Sequence, residues 1–145
     1  MATCAEVLGV KLPDRAGEDS VSILPALVGK DTKPLRDSVV SHSISGRFAI
    51  RQGQWKLEIA PGSGGWGAPN DFEAKAAGLP DIQLYDLVAD CGETRNLQAE
   101  HPEIVARLRS LLERTIADGR TTPGPRIPND VGVTIDKPNT KSLPR

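Results

Sequence analysis

The glycines at positions 62, 64 and 67 have the spacing that most directly suggests chemistry. They match the G-x-G-x-x-G pattern of dinucleotide-binding loops, a predicted strand precedes them, and Asp86 follows at a suitable separation. A bound pyrophosphate needs a helix N-terminus directly after the last glycine, whereas this chain continues with the residues APND. The flanking strands also have hairpin spacing, which does not suit a parallel crossover. The pattern therefore predicts a mobile loop between strands.

Two side chains in or near this loop have chemistry suited to a ligand. An exposed Trp66 would stack on a sugar or an aromatic ring, and the alternative is an indole folded back onto the core. His42, between two serines in a predicted strand, would donate to an anionic or sugar ligand, and the alternative is a histidine satisfied by the neighbouring hydroxyls. From the residues alone, the structural alternative is preferred for both side chains.

A catalytic or metal centre does not assemble from the remaining residues. No G-x-S-x-G motif is present, and Ser63 has no base with an orienting carboxylate nearby in sequence. The carboxylates lack the helical spacing of a metal cage. Cys4 and Cys91 lack the spacing of a zinc site. Two such cysteines also do not indicate whether the protein lies in an oxidising or a reducing compartment. The chain's own residues therefore predict neither catalysis nor metal binding.

The charge balance and the lengths of the apolar runs bear on which classes of partner the chain could bind. The 145 residues include 18 Lys and Arg against 19 Asp and Glu, for a net charge of −1. Without a basic excess there is no electrostatic footprint for nucleic acid or for an anionic membrane. No apolar run approaches the roughly 18–20 residues that span a bilayer, and the opening MATCAEVLGV does not resemble a signal peptide. We therefore expect no nucleic-acid partner and no membrane association.

Periodicity predicts an α+β fold. Strands are expected over 38–44, 47–51, 54–60 and 82–84, with Gly46 and Gly53 at the hairpin turns and Trp55 facing the core. A short helix is expected around 72–77. Apolar residues at helical spacing from Ile104 to Ile116 predict a C-terminal amphipathic helix, opened by Pro102 after His101 and ended at Gly119. The expected architecture is a small antiparallel sheet of about four strands packed by this helix.

The ends of the chain are expected to be less regular. A short N-terminal helical region, with Val7 and Leu8 packed inward, precedes a second short helix closed by Gly29. After residue 121 the prolines at 123, 125, 128, 138 and 144 predict an extended tail, with one edge strand at 131–135. The predicted division is 1–30, 31–120 and 121–145.

Four segments in order resemble the C-terminal portion of sulfatases in the alkaline-phosphatase-like superfamily. They are MATCAEVLG, EDSVSILPALVGK, FAIRQGQWKLEI, and LYDLVADCGETRNL followed by EHPE, and together they cover about residues 1–124. The chain departs from the family where Cys91 replaces the usual proline. The family's Cys/Ser-x-Pro-x-Arg nucleophile motif is also absent from this sequence. Met1 falls where the family often has an internal methionine, which favours a truncated gene model.

The resemblance implies a division of labour. The parent enzyme would hydrolyse sulfate esters with formylglycine and calcium, both held by a catalytic domain that this sequence does not contain, and it would be periplasmic or secreted. The first 30 residues would join that domain, and residues 31–120 would form the C-terminal subdomain. His42 and Trp66 would then shape the rim of a pocket for a sulfated small molecule or carbohydrate, and the fragment alone would be inactive.

One alternative stays open. The chain would also suit a non-catalytic module that binds carbohydrate or protein. A fragment separated from its catalytic domain should expose apolar residues that the domain would cover, through Val7, Leu8, Leu24 and Leu27. An independent module should be compact and soluble.

Overall fold

Four short strands form one antiparallel sheet in a computed structural model that describes residues 1–30 and 33–138. Sheet order follows chain order, so each strand pairs with the next. In chain order the elements are α1 (Ala2–Val7), α2 (Leu24–Leu27), β1 (Ser38–His42), β2 (Phe48–Gln52), β3 (Trp55–Glu58), α3 (Asp71–Ala76), β4 (Gln83–Asp86) and α4 (Pro102–Asp118). The predicted α+β class, the four-stranded sheet and the C-terminal helix are confirmed.

The tight turns lie at the predicted glycines. Gln52 pairs with Trp55, which leaves a two-residue hairpin turn containing Gly53 at a φ of 59°. Gly46 has a φ of 73° between β1 and β2. Glycine reaches this left-handed region without a steric penalty, so both hairpins close where the sequence allows it.

The core lies between the sheet and α4. Alternation within β2 and β3 places Phe48, Ile50 and Leu57 on the face that meets the helix, and Trp55 packs against them from a partly buried position. The fully buried large side chains are Ile50, Leu57, Leu84, Leu108 and Leu112. His101 is the N-cap of α4, directly before Pro102. Gly119 is the C-cap, with a φ of 66°. The predicted inward stripe of α4 is therefore observed.

The opposite face of the sheet carries polar side chains. Lys56 and Glu58 alternate with Trp55 and Leu57 along β3, and Lys56 is paired in register with Tyr85 of β4. Since α4 covers only the apolar face, this second face forms the wall of an open cleft.

The short N-terminal helices contact each other but bury little apolar surface. Val7 is 63 % exposed and Leu8 is 74 % exposed, so the expectation that they pack inward is wrong. Hydrogen bonds from Ala2 N to Ser20 Oγ and from Ile23 N to Thr3 Oγ1 join α1 to the segment that leads into α2. Val7, Leu8 and Leu27 therefore remain at the surface.

The tail is irregular over its described part. The edge strand predicted at 131–135 does not form: Val131 and Val133 are exposed, and only Ile135 packs against the core. Residues 139–145 of the predicted tail, including Pro144, lie outside the described residues. No helix in 1–30 or 33–138 is long and apolar enough to cross a membrane.

Candidate functional site

An open cleft of about 850 Å³ lies on the polar face of the sheet. Strand residues Ser41, Ala49, Lys56 and Glu58 form one wall. The other walls come from loops: the glycine-rich segment contributes Pro61, Gly62, Ser63, Ala68 and Pro69, and the segment after β4 contributes Glu93, Thr94, Asn96, Gln98 and Ala99. The cleft therefore lies where these loops meet the polar face of the sheet.

A lysine between two carboxylates dominates the electrostatics of this cleft. Lys56 Nζ donates to both carboxylate oxygens of Glu93, at 2.6 and 2.8 Å, and lies 3.6 Å from Glu58 Oε2. All three side chains are partly buried, with 17–33 % exposure. The group carries a net charge of −1 when both carboxylates are ionised. The ammonium group of Lys56 is therefore held by carboxylates of the chain itself.

Burial raises the pKa of Glu58 above its ordinary value of 4.5, and the nearby Lys56 opposes this shift. Desolvation penalises the charged carboxylate, so the folded chain binds more protons at this site than the unfolded chain. A carboxyl whose folded pKa is raised stabilises the fold below its ordinary pKa. That contribution is lost as the pH rises through the folded pKa.

Glu58→Gln is therefore expected to raise the denaturation midpoint at pH 7 relative to wild type, with the gain shrinking towards pH 4. Urea denaturation at several pH values measures the difference. Glu93→Gln is the matched control and should lower the midpoint at pH 7, because Lys56 loses its closest carboxylate. A Glu58→Gln chain less stable than wild type at pH 7 would contradict this account.

Tyr85 and Gln83 extend the polar network. Tyr85 Oη donates to Gln83 Oε1, and burial raises the pKa of Tyr85 to about 12. Gln83 Nε2 donates to the carbonyls of Ala60 and Gly62 at 2.8 and 2.9 Å. The phenol thus stays protonated at neutral pH, and Gln83 fixes the start of the glycine-rich segment against β4.

A buried ion pair supports the other side of the glycine-rich segment. Arg47 Nε donates to Asp71 Oδ2 at 2.6 Å, with exposures of only 6 % and 13 %. Asp71 opens α3, whose N-cap Asn70 forms a capping box with Glu73. The N-terminus of α3, the first helix after the glycines, is thus occupied by its own capping box and by the ion pair with Arg47.

His42 borders the cleft. It ends β1, its side chain is exposed, and its ring meets Phe48 edge-on at a centroid distance of 4.1 Å. Phe48 is buried, so this contact restrains the imidazole against the core. No carboxylate partner of His42 is found among the described residues.

Trp66 is 88 % exposed at the surface of the glycine-rich segment, so the interpretation that it folds back onto the core is wrong. Gly65 and Gly67 flank it, and neither supplies a side chain to pack on the indole. Trp66 does not itself line the cleft, although its loop does through Ser63 and Ala68. His42 thus ends β1 at the border of the cleft with its ring against Phe48, on the sheet face that α4 covers, and Trp66 lies on the adjoining loop.

The cleft presents both paired charges and neutral hydroxyls. Its cations Arg47 and Lys56 are held in ion pairs, while the hydroxyls of Ser41, Ser43 and Ser63 supply neutral hydrogen-bonding groups. No cluster of three His, Cys, Asp or Glu side chains within 1–30 and 33–138 could hold a metal ion.

Sequence reasoning missed the ion pairs of the cleft. The alternation of Lys56 and Glu58 with Leu57 was a usable signal, since it marks a second, polar sheet face. The pairing of Arg47 with Asp71 spans 24 positions along the chain and has no local signature.

Comparison with known proteins identifies the class of chain. No family model matches it. It is 37 % identical, over 115 residues, to an N-acetylgalactosamine-6-O-sulfatase of Bacteroides thetaiotaomicron; the match covers 77 % of this chain and 21 % of that enzyme. A solved structure from work on the metabolism of multiple glycosaminoglycans by the same organism matches with a TM-score of 0.62 and 35 % identity, over 79 % of this chain and 23 % of the other. A 2-O GAG sulfatase structure matches with a TM-score of 0.54 and 25 % identity, over the same shares.

The chain therefore belongs with the sulfatases, as a C-terminal fragment of that family, and the resemblance drawn from its sequence motifs is confirmed. It spans about a fifth of the length of the curated relative that it matches.

Proposed function

We propose that this chain forms the substrate-pocket rim of a sulfuric ester hydrolase, with His42 and Trp66 contacting the substrate. The observation that carries the proposal is the cleft itself. His42 and the loop bearing Trp66 lie at its border, in a chain 37 % identical to part of a sulfatase. A rim that recognises substrate without cleaving it agrees with a sequence that contains no nucleophile motif of the family.

The substrate we propose is a sulfated carbohydrate. The curated relative is an N-acetylgalactosamine-6-O-sulfatase, and an exposed indole beside serine hydroxyls suits a pyranose ring. Arg47 and Lys56 are already paired with carboxylates, so this cleft would bind the sugar and leave the sulfate group to another part of the enzyme.

The partner we propose is a catalytic sulfatase domain, contacted through the N-terminal helices. Apolar side chains with 48–74 % exposure cluster in sequence on these helices and beside their ends: Val7, Leu8, Val10, Ile23, Leu27 and Val28. Adjacent apolar side chains left in water mark surfaces that another protein covers. On this proposal residues 1–30 join the catalytic domain, residues 31–120 form the subdomain, and 121–145 form its tail.

Formylglycine and calcium belong to the same proposal, as groups of that catalytic domain. The described residues of this chain do not form a calcium site. Neither Cys4 nor Cys91 lies in a Cys-x-Pro-x-Arg context, so neither fits the formylglycine precursor.

The purified chain is accordingly expected to show no hydrolysis of an aryl sulfate, with or without added calcium. Release of the coloured phenol, followed over hours at high protein concentration, measures this directly. A calcium-loaded intact sulfatase serves as the positive control. Measurable turnover that scales with the concentration of this chain would refute the proposed division of labour.

A further inference from the structure

We propose that Ser45, Arg47 and Asp71 are positioning residues that hold the loop 62–67 against the turn 43–47, so that Trp66 and His42 meet a saccharide as one fixed unit. This inference rests on the proposed function. It adds three residues that the sequence motifs do not single out.

Both backbone polar groups of Gly64 are held by side chains from other segments. Its N–H donates to Asp71 Oδ1 at 3.0 Å, and its carbonyl accepts from Ser45 Oγ and from Ser45 N. Gly64 has a φ of 63°, and a Cβ there would lie 2.8 Å from Ser43 Oγ. The loop is therefore pinned two residues before Trp66, at a point where only glycine fits.

Arg47 links the turn 43–47 to Asp71, and so to the loop that Asp71 holds. Its guanidinium donates to Asp71 Oδ2 at 2.6 Å and to the carbonyl of Lys137, and its own N–H donates to Ser43 Oγ at 3.1 Å. Asp71 thus accepts from the turn with one carboxylate oxygen and from the loop with the other. A buried charge with two such partners has little freedom to move.

His42 directly precedes this turn. Ser43 N donates to Arg47 O at 2.9 Å, and the His42 ring contacts Phe48 on the next strand. The turn that grips Gly64 is therefore the turn that follows His42. Any displacement of the loop changes the position of Trp66 relative to His42.

Such pinning has a functional rationale. An exposed indole on a glycine-rich segment would lose conformational freedom on binding, and that loss opposes affinity. Holding the segment before the ligand arrives removes part of the cost. Fixing the separation of the two rim side chains also selects among sugars by shape.

The test compares Asp71→Asn and Ser45→Ala with the control Asp81→Asn, which changes an exposed carboxylate paired only with Lys75 among the described residues. Asparagine keeps an acceptor for Gly64 but removes the charge that engages Arg47. NMR on the isotope-labelled full chain measures the order of the Trp66 indole N–H and of the Gly64 amide. Titration with N-acetylgalactosamine 6-sulfate, and with unsulfated N-acetylgalactosamine, measures affinity.

We expect Asp71→Asn and Ser45→Ala to lower the order of both N–H groups and to weaken saccharide affinity by about tenfold, as for loss of one aromatic contact. Asp81→Asn should leave both unchanged. An Asp71→Asn chain with wild-type order at Gly64, or with a loosened loop and wild-type affinity, would overturn the positioning role.

Trp66→Ala separates this inference from the one on which it rests. It should weaken affinity while leaving the Gly64 amide ordered. A Trp66→Ala chain that binds as well as wild type contradicts the proposed role of Trp66 in recognition, and the order of the Gly64 amide in Asp71→Asn then still decides whether Asp71 holds the loop.

Discussion

Replacing Arg47 by methionine is expected to lower the free energy of unfolding by about 3–5 kcal/mol, the usual cost of removing one partner from a buried ion pair. Arg47 and Asp71 are 6 % and 13 % exposed, so water cannot replace the guanidinium at the abandoned carboxylate. Methionine fills much of the same volume, which leaves lost charge pairing and hydrogen bonding as the cause. The carbonyl of Lys137 loses a donor as well.

Arg95→Met is the matched control for this substitution. Arg95 pairs with Glu100 at 2.8 Å, but the two side chains are 69 % and 51 % exposed. An exposed pair contributes roughly 0–1 kcal/mol, so the midpoint of urea denaturation should hardly move. Equal losses for the two arginines would show that the interior location of Arg47 has no energetic consequence.

Leu57→Ala is expected to cost about 3 kcal/mol, within the 2–5 kcal/mol found for buried leucines. Leu57 lies on β3, pairs in register with Ile50 and Leu84, and is fully buried. The cost combines lost apolar burial with the cavity that remains, because the neighbouring strands cannot close over it. Urea denaturation again gives the measurement.

Leu8→Ala makes the same chemical change at a side chain that is 74 % exposed. It should alter the stability of the purified chain by less than about 0.5 kcal/mol, as at most surface positions. A large loss at Leu8 would place that side chain inside the folded unit and remove it from the surface that we propose faces a catalytic domain.

The sheet and α4 could be predicted because their signals are local. Hairpin glycines at 46 and 53 and the apolar stripe ending at Ile116 each act over a few residues, and the structure follows them. The edge strand at 131–135 failed because strand formation needs a partner, and nothing in Val131 or its neighbours specifies one.

The site was less predictable than the fold. His42 and Trp66 stood out by residue type, but the exposure of Trp66 depends on how a glycine-rich loop is held from outside. The residues that hold it, Arg47 and Asp71, are distant in sequence and unremarkable by themselves. Long-range pairing of charges follows from topology, so it becomes visible only when the strands are in place.

The two margins of the sheet differ. Along β4, Leu97 N donates to the carbonyl of Leu84 at 2.8 Å, and the Asn96 side chain bonds Leu84 N and the carbonyl of Ile82. Within 1–30 and 33–138, no strand adds to β1 on the side away from β2. Self-association by strand addition would thus be confined to one margin. Two copies joined there, antiparallel and two-fold related, would each use the β1 margin that the described residues leave unpaired, so this contact would join two chains and no more.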